Sequence, residues 1–363
     1  MSSSGNSTNQ EPILMNSELD IKKVLKQYPV SVDEIKSIPL KTGLIHHSYK
    51  IEATEQSYLL QKINTAVFGD VDSLMNNIEL VTNTLSKAFQ DSPYESLEIF
   101  KTNDEELFYR SVSATWRMYH FKEHLLGYES PKNKEMVWEA GHAFAYFADA
   151  LAQTNPERLS VTIPDFHSLE FRYQQLQEAL KVTTIDHSDT GVLLDKISQF
   201  IRLLIPLEHA MKNGTIPLRI THNDAKFNNL LFDNSEKARC IVDLDTVMPG
   251  IIHFDVGDCL RTLTPNSPED EPDLNKINLR RGYHTAFLEG YSAGGADWLT
   301  ENEINYLPYA APYMSLIMGI RFLTDHLNGN QYYSFDYPRH NLVRSICQVE
   351  VTRQFLEQFP LTR

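Results

Sequence analysis

Long uninterrupted hydrophobic runs are missing from this chain of 363 residues. The longest apolar stretch, YLPYAAPYMSLIMGI, is broken by Pro308 and Pro312 and is too short to span a bilayer. Cysteine is scarce as well. Cys240, Cys259 and Cys347 form an odd set with no metal-ligand spacing, which fits a reducing compartment. Two of them lie in apolar context and read as inert buried thiols. Positive charge is in deficit, with 33 Lys and Arg against 48 Asp and Glu and a net charge of -15. That balance argues against a nucleic-acid partner, whose backbone is held by cations, and against attraction to anionic membranes. An acidic chain that binds a polyphosphate is expected to use metal ions and backbone amides instead. The N-terminal MSSSGNSTNQEP lacks the apolar core of a signal peptide, so residues 1–16 read as a disordered tail and the protein as soluble and cytoplasmic. There is no internal repeat.

What remains is ordinary globular material, 42% hydrophobic and 22% charged, enough for two or three domain-sized units. The first third alternates apolar and polar positions in SIPLKTGLIHHSYKIEA, QSYLLQKI and EIFKTNDEELFYR, which predicts strands. A helix is predicted over DVDSLMNNIELVTNTLSKAF, and the chain turns mostly helical beyond about residue 125, after a joint near WRMYHFKEHL. Val137, Ala140, Phe144, Phe147, Ala148 and Leu151 make one apolar stripe at helical spacing. Further helices are predicted in SLEFRYQQLQEALKV, GVLLDKISQFIRLLIPLEHAM and LNKINLRRGYHTAFLEGYS, and from Ser345 onward. An α+β fold follows: residues 17–122 as a strand-rich lobe and 123–363 as a larger helical lobe.

One segment of the helical lobe stands apart. THNDAKFNNLLFD, residues 221–233, gathers a His, two Asp and three Asn between short apolar strands. NLLFD and CIVDLD, separated by the charged NSEKAR, form a hairpin signal. An antiparallel hairpin brings the start of one strand beside the end of the next, so Asn229 is expected near Asp243 and Asp245, with Asp224 just upstream. On an extended strand Asp243 and Asp245 share a face. Such hard oxygen ligands suit Mg²⁺, which takes one or two protein carboxylates together with substrate phosphates. An Asx-rich turn is the plain alternative for these residues.

His222-x-Asp224-x-x-x-x-Asn229, followed by an Asp at the end of the next strand, resembles the catalytic core of the kinase-like phosphotransferases, the superfamily of aminoglycoside phosphotransferases and choline kinases. HNDAKFNNLLFD, IVDLDTVMPG, FDVGDCLR and GIRFLTDHLNGNQYY look most like the N-acetylhexosamine 1-kinases, and the similarity spans about residues 37–350. The resemblance implies a two-lobe, protein-kinase-like fold, its N-terminal antiparallel sheet lobe with one main helix covering the nucleotide. The C-terminal lobe would carry the catalytic loop and substrate site. The implied activity is ATP- and Mg²⁺-dependent phosphoryl transfer to the anomeric hydroxyl of an N-acetylhexosamine. An aminoglycoside, choline or amino-alcohol acceptor, or a nucleotide-binding pseudokinase, is the alternative.

Carried over residue by residue, Asp224 would accept or orient the hydroxyl proton, and Asn229 and Asp243 would hold Mg²⁺. His222 would be structural, tying the loop to the metal-binding turn. Gly43, in the first strand-turn-strand, would lie over the nucleotide phosphates. The next strand should offer a phosphate-facing Lys; Gln61 occupies the expected register with Lys62 beside it, and adjacent strand residues face opposite ways. His46, Asp245, Arg321 and Tyr332 are the candidate substrate contacts. For Arg321 an i,i+4 ion pair with Asp325 is the structural alternative. Helix N-capping suffices for Asp255, and a helix first turn for Asp258.

Overall fold

The computed structural model describes residues 18–31, 35–40 and 45–361. The tail 1–16 and Gly43 lie outside the described residues. The chain divides into two compact units: one takes the residues up to Gly69 and then Glu98–Glu123, the other Asp70–Leu97 and everything from His124 onward.

The first unit holds helix α1 (Glu18–Leu25) and strands β1 (Lys36–Leu40), β2 (His47–Glu52), β3 (Ser57–Ile63), β4 (Tyr109–Arg110) and β5 (Thr115–His120). They form one antiparallel sheet in the order β1-β2-β3-β5-β4. Alternation selects the core face: Tyr49, Ile51, Tyr58, Leu60, Trp116 and Met118 pack with Ile21, Val24, Leu25 and Tyr28 around α1. The Tyr28 hydroxyl donates to the Trp116 carbonyl at 3.0 Å, which satisfies its one buried polar atom.

Two stretches differ from the sequence expectation. WRMYHFKEHL, within which the chain passes from one unit to the other between Glu123 and His124, also contains most of β5, an interior strand paired with both β3 and β4. Residues Thr115–Tyr119 are buried on both faces, so no polar alternation marks them as a strand. EIFKTNDEELFYR supplies only the two residues of β4. Its middle is a tight turn in which the Thr102 amide donates to the Glu106 carbonyl at 2.9 Å and Glu105 has a left-handed φ of 63°.

The second unit begins with helix α2 (Val71–Ala88), N-capped by Asp70, whose carboxylate accepts the Ser73 amide at 3.0 Å. Strand β6 (Leu126–Gly127) and helices α3 (Lys134–Leu151), α4 (Leu169–Val182) and α5 (Gly191–Lys212) follow. Strands β7 (Arg219–Thr221), β8 (Leu230–Phe232), β9 (Ala238–Ile241) and β10 (Met248–Gly250) then lead into α6 (Ile252–Leu263), α7 (Arg281–Ala293), α8 (Glu301–Leu327) and α9 (His340–Gln358). The predicted α3 stripe is buried at all six positions. Helix α8 runs straight through Pro308 and Pro312, and the side chains after them, Tyr313, Leu316, Ile317 and Ile320, join the main core with α4, α5 and α9. Gly257 lets α6 approach α8 so closely that a Cβ there would collide with the Ala310 carbonyl oxygen. That contact fixes α6, and α6 carries the anchor of the site. Among the described residues no helix is long and apolar enough to cross a membrane. All three cysteines are buried, and none of them is in a disulfide.

Candidate active site

Two short antiparallel pairs frame the polar loop. β7 pairs with β10, Thr221 opposite Met248, and β8 pairs with β9, Leu230 opposite Ile241. The loop 222–229 therefore leaves one pair and enters the other, while the turn 242–247 does the reverse. The two are stitched together: the Val242 amide donates to the Asn229 carbonyl at 2.9 Å, and the Thr246 hydroxyl to the His222 carbonyl at 2.7 Å.

His222 is fully buried against Phe144 and Phe147 of α3, with ring centroids 6.0 and 6.1 Å away. Its Nε2–H donates to the Val242 carbonyl at 2.9 Å, and its Nδ1 accepts the Asp224 amide at 3.3 Å. The histidine thus ties the residue expected to act as base to the residue preceding Asp243. Asn223 is left-handed, φ 62°, and its buried amide donates to the carbonyls of Thr221, Thr246 and Met248. A short polar residue that tolerates this conformation is needed there.

Asp224 is partly exposed, with its carboxylate 3.0 Å from Lys226 Nζ. Burial weakens the Lys226 charge, but Asp224 and Asp258 outweigh it and raise its pKa above the ordinary lysine value. The Asn229 side-chain amide donates to the Asp224 carbonyl at 2.8 Å and more loosely to its carboxylate at 3.3 Å. That bond commits the amide nitrogen and leaves Oδ1 as the ligand atom. Asp243 is exposed and left-handed, φ 62°, at the head of a 3₁₀ turn, Leu244–Thr246. An amide oxygen and one exposed carboxylate next to each other fit Mg²⁺ shared with phosphate oxygens, not an all-protein cage. Accordingly, no group of three or more His, Cys, Asp or Glu forms a metal cluster among the described residues.

Asp245 departs from the sequence expectation. The strand ends at Ile241, so Asp243 and Asp245 do not share an extended face; Asp245 sits inside the 3₁₀ turn at 3% exposure. Arg321 also differs from its structural alternative. Asp325 accepts the amides of Gln331, Tyr332 and Tyr333 at 2.8–3.0 Å and the Asn341 side chain at 3.0 Å, and it holds the NGNQYY turn instead of pairing with Arg321. The Arg321 guanidinium stacks over Phe166, Tyr333 and Tyr332 at 5.2, 5.5 and 5.9 Å. The exposed Tyr332 ring is therefore part of one aromatic cluster with it.

In the first unit, Gln61 and Lys62 do face opposite ways. Lys62 continues the face of Tyr58 and Leu60, opposite Trp116. Gln61 lies between Ser48 and Arg117, donating to Ser48 Oγ and accepting from Arg117 Nε, both at 3.0 Å. The cation bonded to Gln61 on that face is Arg117 of β5, 2% exposed; Lys50 of β2 lies further along the same face. His46 Nδ1 accepts the Asn64 amide at 3.0 Å, and its ring lies 5.6 Å from Phe68.

Three residues of the site escaped the sequence reading. Lys226 carries no signal of its own in the sequence. Asp255 does not cap α6, whose N-cap is Ile251; it lies within the helix, and its carboxylate accepts the amides of His222 and Asn223 at 2.8 and 2.7 Å. Burial lifts this carboxyl to about 6, against the pull of His222 and the two amides. Cys259 donates to the Ala225 carbonyl at 2.8 Å, so two α6 side chains are bonded to the loop, while Asp258, also buried, pairs with Arg261 at 2.6 Å and acts on Lys226 through its charge. The helical spacing of FDVGDC held that signal, but nothing local says which loop the face supports.

Solved structures share this architecture. A choline kinase from Cryptosporidium parvum Iowa II superposes with a TM-score of 0.62 at 12% identity, covering 94% of this chain and 97% of its own. A microcompartment-associated aminopropanol kinase gives 0.61 at 14% identity, with 95% and 99% covered. A spectinomycin phosphotransferase in complex with ADP and spectinomycin gives 0.54 at 13% identity, with 93% and 98% covered. The fold is the α+β, kinase-like one: an antiparallel N-terminal sheet followed by a helical C-terminal portion. Residues 38–298 match the phosphotransferase enzyme family, and the chain belongs to it.

Proposed function

We propose that this phosphotransferase is an ATP- and Mg²⁺-dependent small-molecule kinase that transfers the γ-phosphate to a sugar hydroxyl, the anomeric hydroxyl of an N-acetylhexosamine. The observation that carries the reading is the closure of the 222–229 loop on the 242–247 turn. It gathers Asp224, Lys226, Asn229 and Asp243 on one hydrogen-bonded frame. The sugar acceptor is supported by the resemblance of IVDLDTVMPG, FDVGDCLR and GIRFLTDHLNGNQYY to the N-acetylhexosamine 1-kinases.

Phosphoryl transfer asks little covalent chemistry of the protein. Asp224, held through its backbone by His222 and Asn229, orients the acceptor hydroxyl and takes its proton as the oxygen attacks the γ-phosphorus. The bond from that phosphorus to the β–γ bridging oxygen breaks, and ADP leaves with the electron pair. Lys226, 3.0 Å from the Asp224 carboxylate, adds positive charge near the transferred group. Asn229 Oδ1 and the Asp243 carboxylate would hold Mg²⁺, which neutralises charge developing on the phosphates. Asp255, through the amides of His222 and Asn223, keeps the loop from drifting.

The test is ADP release from Mg-ATP with N-acetylglucosamine, N-acetylgalactosamine, glucose, galactose, choline and kanamycin, followed by phosphorus NMR of any product. Phosphate on C1 of an N-acetylhexosamine is the expected product. Asp224→Asn should lower turnover by roughly two to four orders of magnitude, the usual worth of a positioned general base. Undiminished turnover in that variant removes Asp224 from the role, and turnover confined to choline or kanamycin removes the sugar.

A further inference from the structure

Helix α4 contributes a second arginine to the aromatic cluster around Arg321. Arg172 donates through Nε and Nη2 to the Phe166 carbonyl at 3.2 and 2.9 Å, and through Nη1 to Gln175 at 2.9 Å. Arg321 stacks on the ring of the same Phe166. Two guanidiniums thus meet at one residue, and among the described residues neither has a carboxylate within ion-pairing distance. Elsewhere in this unit Arg219, Arg239, Arg261, Arg339 and Arg353 are paired with acids, while Arg280 spends its donors on the carbonyls of Leu263, Thr264 and Pro265. Two neighbouring half-buried guanidiniums with no carboxylate between them are costly to hold together. Burial, and then Arg321, lower the Arg172 pKa to about 10.

The cluster adjoins the Asp224 loop. His167, next to Phe166 and 6% exposed, donates from Nε2 to the Asn223 carbonyl at 2.8 Å. Its Nδ1 and the Tyr333 hydroxyl are buried polar atoms with no hydrogen-bond partner. The two cations and the Tyr333 hydroxyl complement an anionic group, and the orphan His167 Nδ1 complements a hydroxyl donor on the same ligand.

We propose that Arg172 and Arg321 form an oxyanion-binding subsite beside the Asp224 loop, so that the acceptor is an acidic sugar whose carboxylate or phosphate is held by both guanidiniums. The inference rests on the reading of the chain as a sugar kinase and narrows it: the neutral N-acetylhexosamine becomes the poorer member of its class. A cationic acceptor such as choline meets two uncompensated positive charges there and is repelled.

The experiment compares kcat/KM for acidic sugars and their neutral counterparts at equal ionic strength, with Mg-ATP: glucuronate against glucose, galacturonate against galactose, and N-acetylglucosamine 6-phosphate against N-acetylglucosamine. At least one acid should exceed its neutral counterpart by tenfold or more, and whether it is a uronate or a phosphate identifies the source of the charge. Arg172→Gln and Arg321→Gln should each shrink that ratio by roughly ten- to a hundredfold, the range of one lost charge-assisted hydrogen bond. Arg172→Lys, which keeps the charge, should retain part of it and guards against a folding defect. Turnover of neutral N-acetylglucosamine at least as good as that of every acid overturns this inference and leaves the sugar kinase standing. Turnover of choline alone overturns both. If no acceptor turns over, calorimetric titration with glucuronate and glucose 6-phosphate in the presence of Mg-ADP decides. Saturable binding weakened tenfold in Arg172→Gln supports the subsite, and absence of binding overturns it.

Discussion

Replacing Asp255 by Asn separates the stability of this site from its activity. The native carboxylate accepts two backbone amides at 2.8 and 2.7 Å, and a carboxamide can accept only one. The lost charge-assisted bond is worth roughly 1.5–3 kcal/mol, and the amide left unsatisfied about 1–3 more. Against this stands the burial of the charge. A carboxyl lifted from 3.8 to about 6 costs the folded protein roughly 3 kcal/mol at pH 7, which Asn does not incur. The terms partly cancel, so urea unfolding at pH 7 should move by no more than about 3 kcal/mol. The sign with pH is determined. A raised carboxyl pKa stabilises the fold below about 4, and that benefit is lost as the pH rises through about 6. By pH 5 about half of the native cost has gone, so the variant should compare worse with the native protein at pH 5 than at pH 7. Activity has no such offset. The amide released belongs to one of the two residues before Asp224, and misplacement of a reacting group by about 1 Å is worth on the order of a hundredfold in rate. Full activity in a folded Asp255→Asn protein would refute the argument that α6 positions the loop.

Asp243→Asn should raise the Mg²⁺ concentration for half-maximal activity at least tenfold while leaving the unfolding midpoint within about 0.5 kcal/mol, since the residue is exposed; a metal titration of the ADP-release rate reads it. Gly250→Ala should destabilise by about 1–3 kcal/mol, because a Cβ there collides with Thr221 Oγ1 and stands 2.8 Å from Asn223 Oδ1; thermal unfolding reads this, and an unchanged midpoint contradicts it. His167 and His253 are buried and neutral, with pKa values lowered by burial to about 3 and 4. The unfolded chain therefore binds protons that the folded one refuses, and each should remove roughly 1.5 kcal/mol of stability as the pH falls from 6.5 to 5. Urea titrations of His253→Gln at both pH values should return about one such increment.

The sequence determined most of what depends on neighbours in the chain. Helix α3 was legible because Val137 to Leu151 repeat at helical spacing, and α2 because a capping Asp70 precedes an amphipathic run. The order His222, Asp224, Asn229, Asp243 was legible because a short loop and a hairpin fix their separation with few residues between them. Tertiary structure decided what depends on crowding and on distant partners. Strand β5 hid in a segment buried on both faces, and Asp245 left its expected strand because the chain coils into a 3₁₀ turn after Ile241. Arg117 became the cation beside Gln61 through strand pairing alone. Asp255 lies more than thirty residues from the loop it holds, and Arg172 and Arg321 meet across helices α4 and α8 at Phe166. Periodicity and turn chemistry are local quantities that a string of letters carries. The pairing of a buried charge is settled only when distant segments close around it.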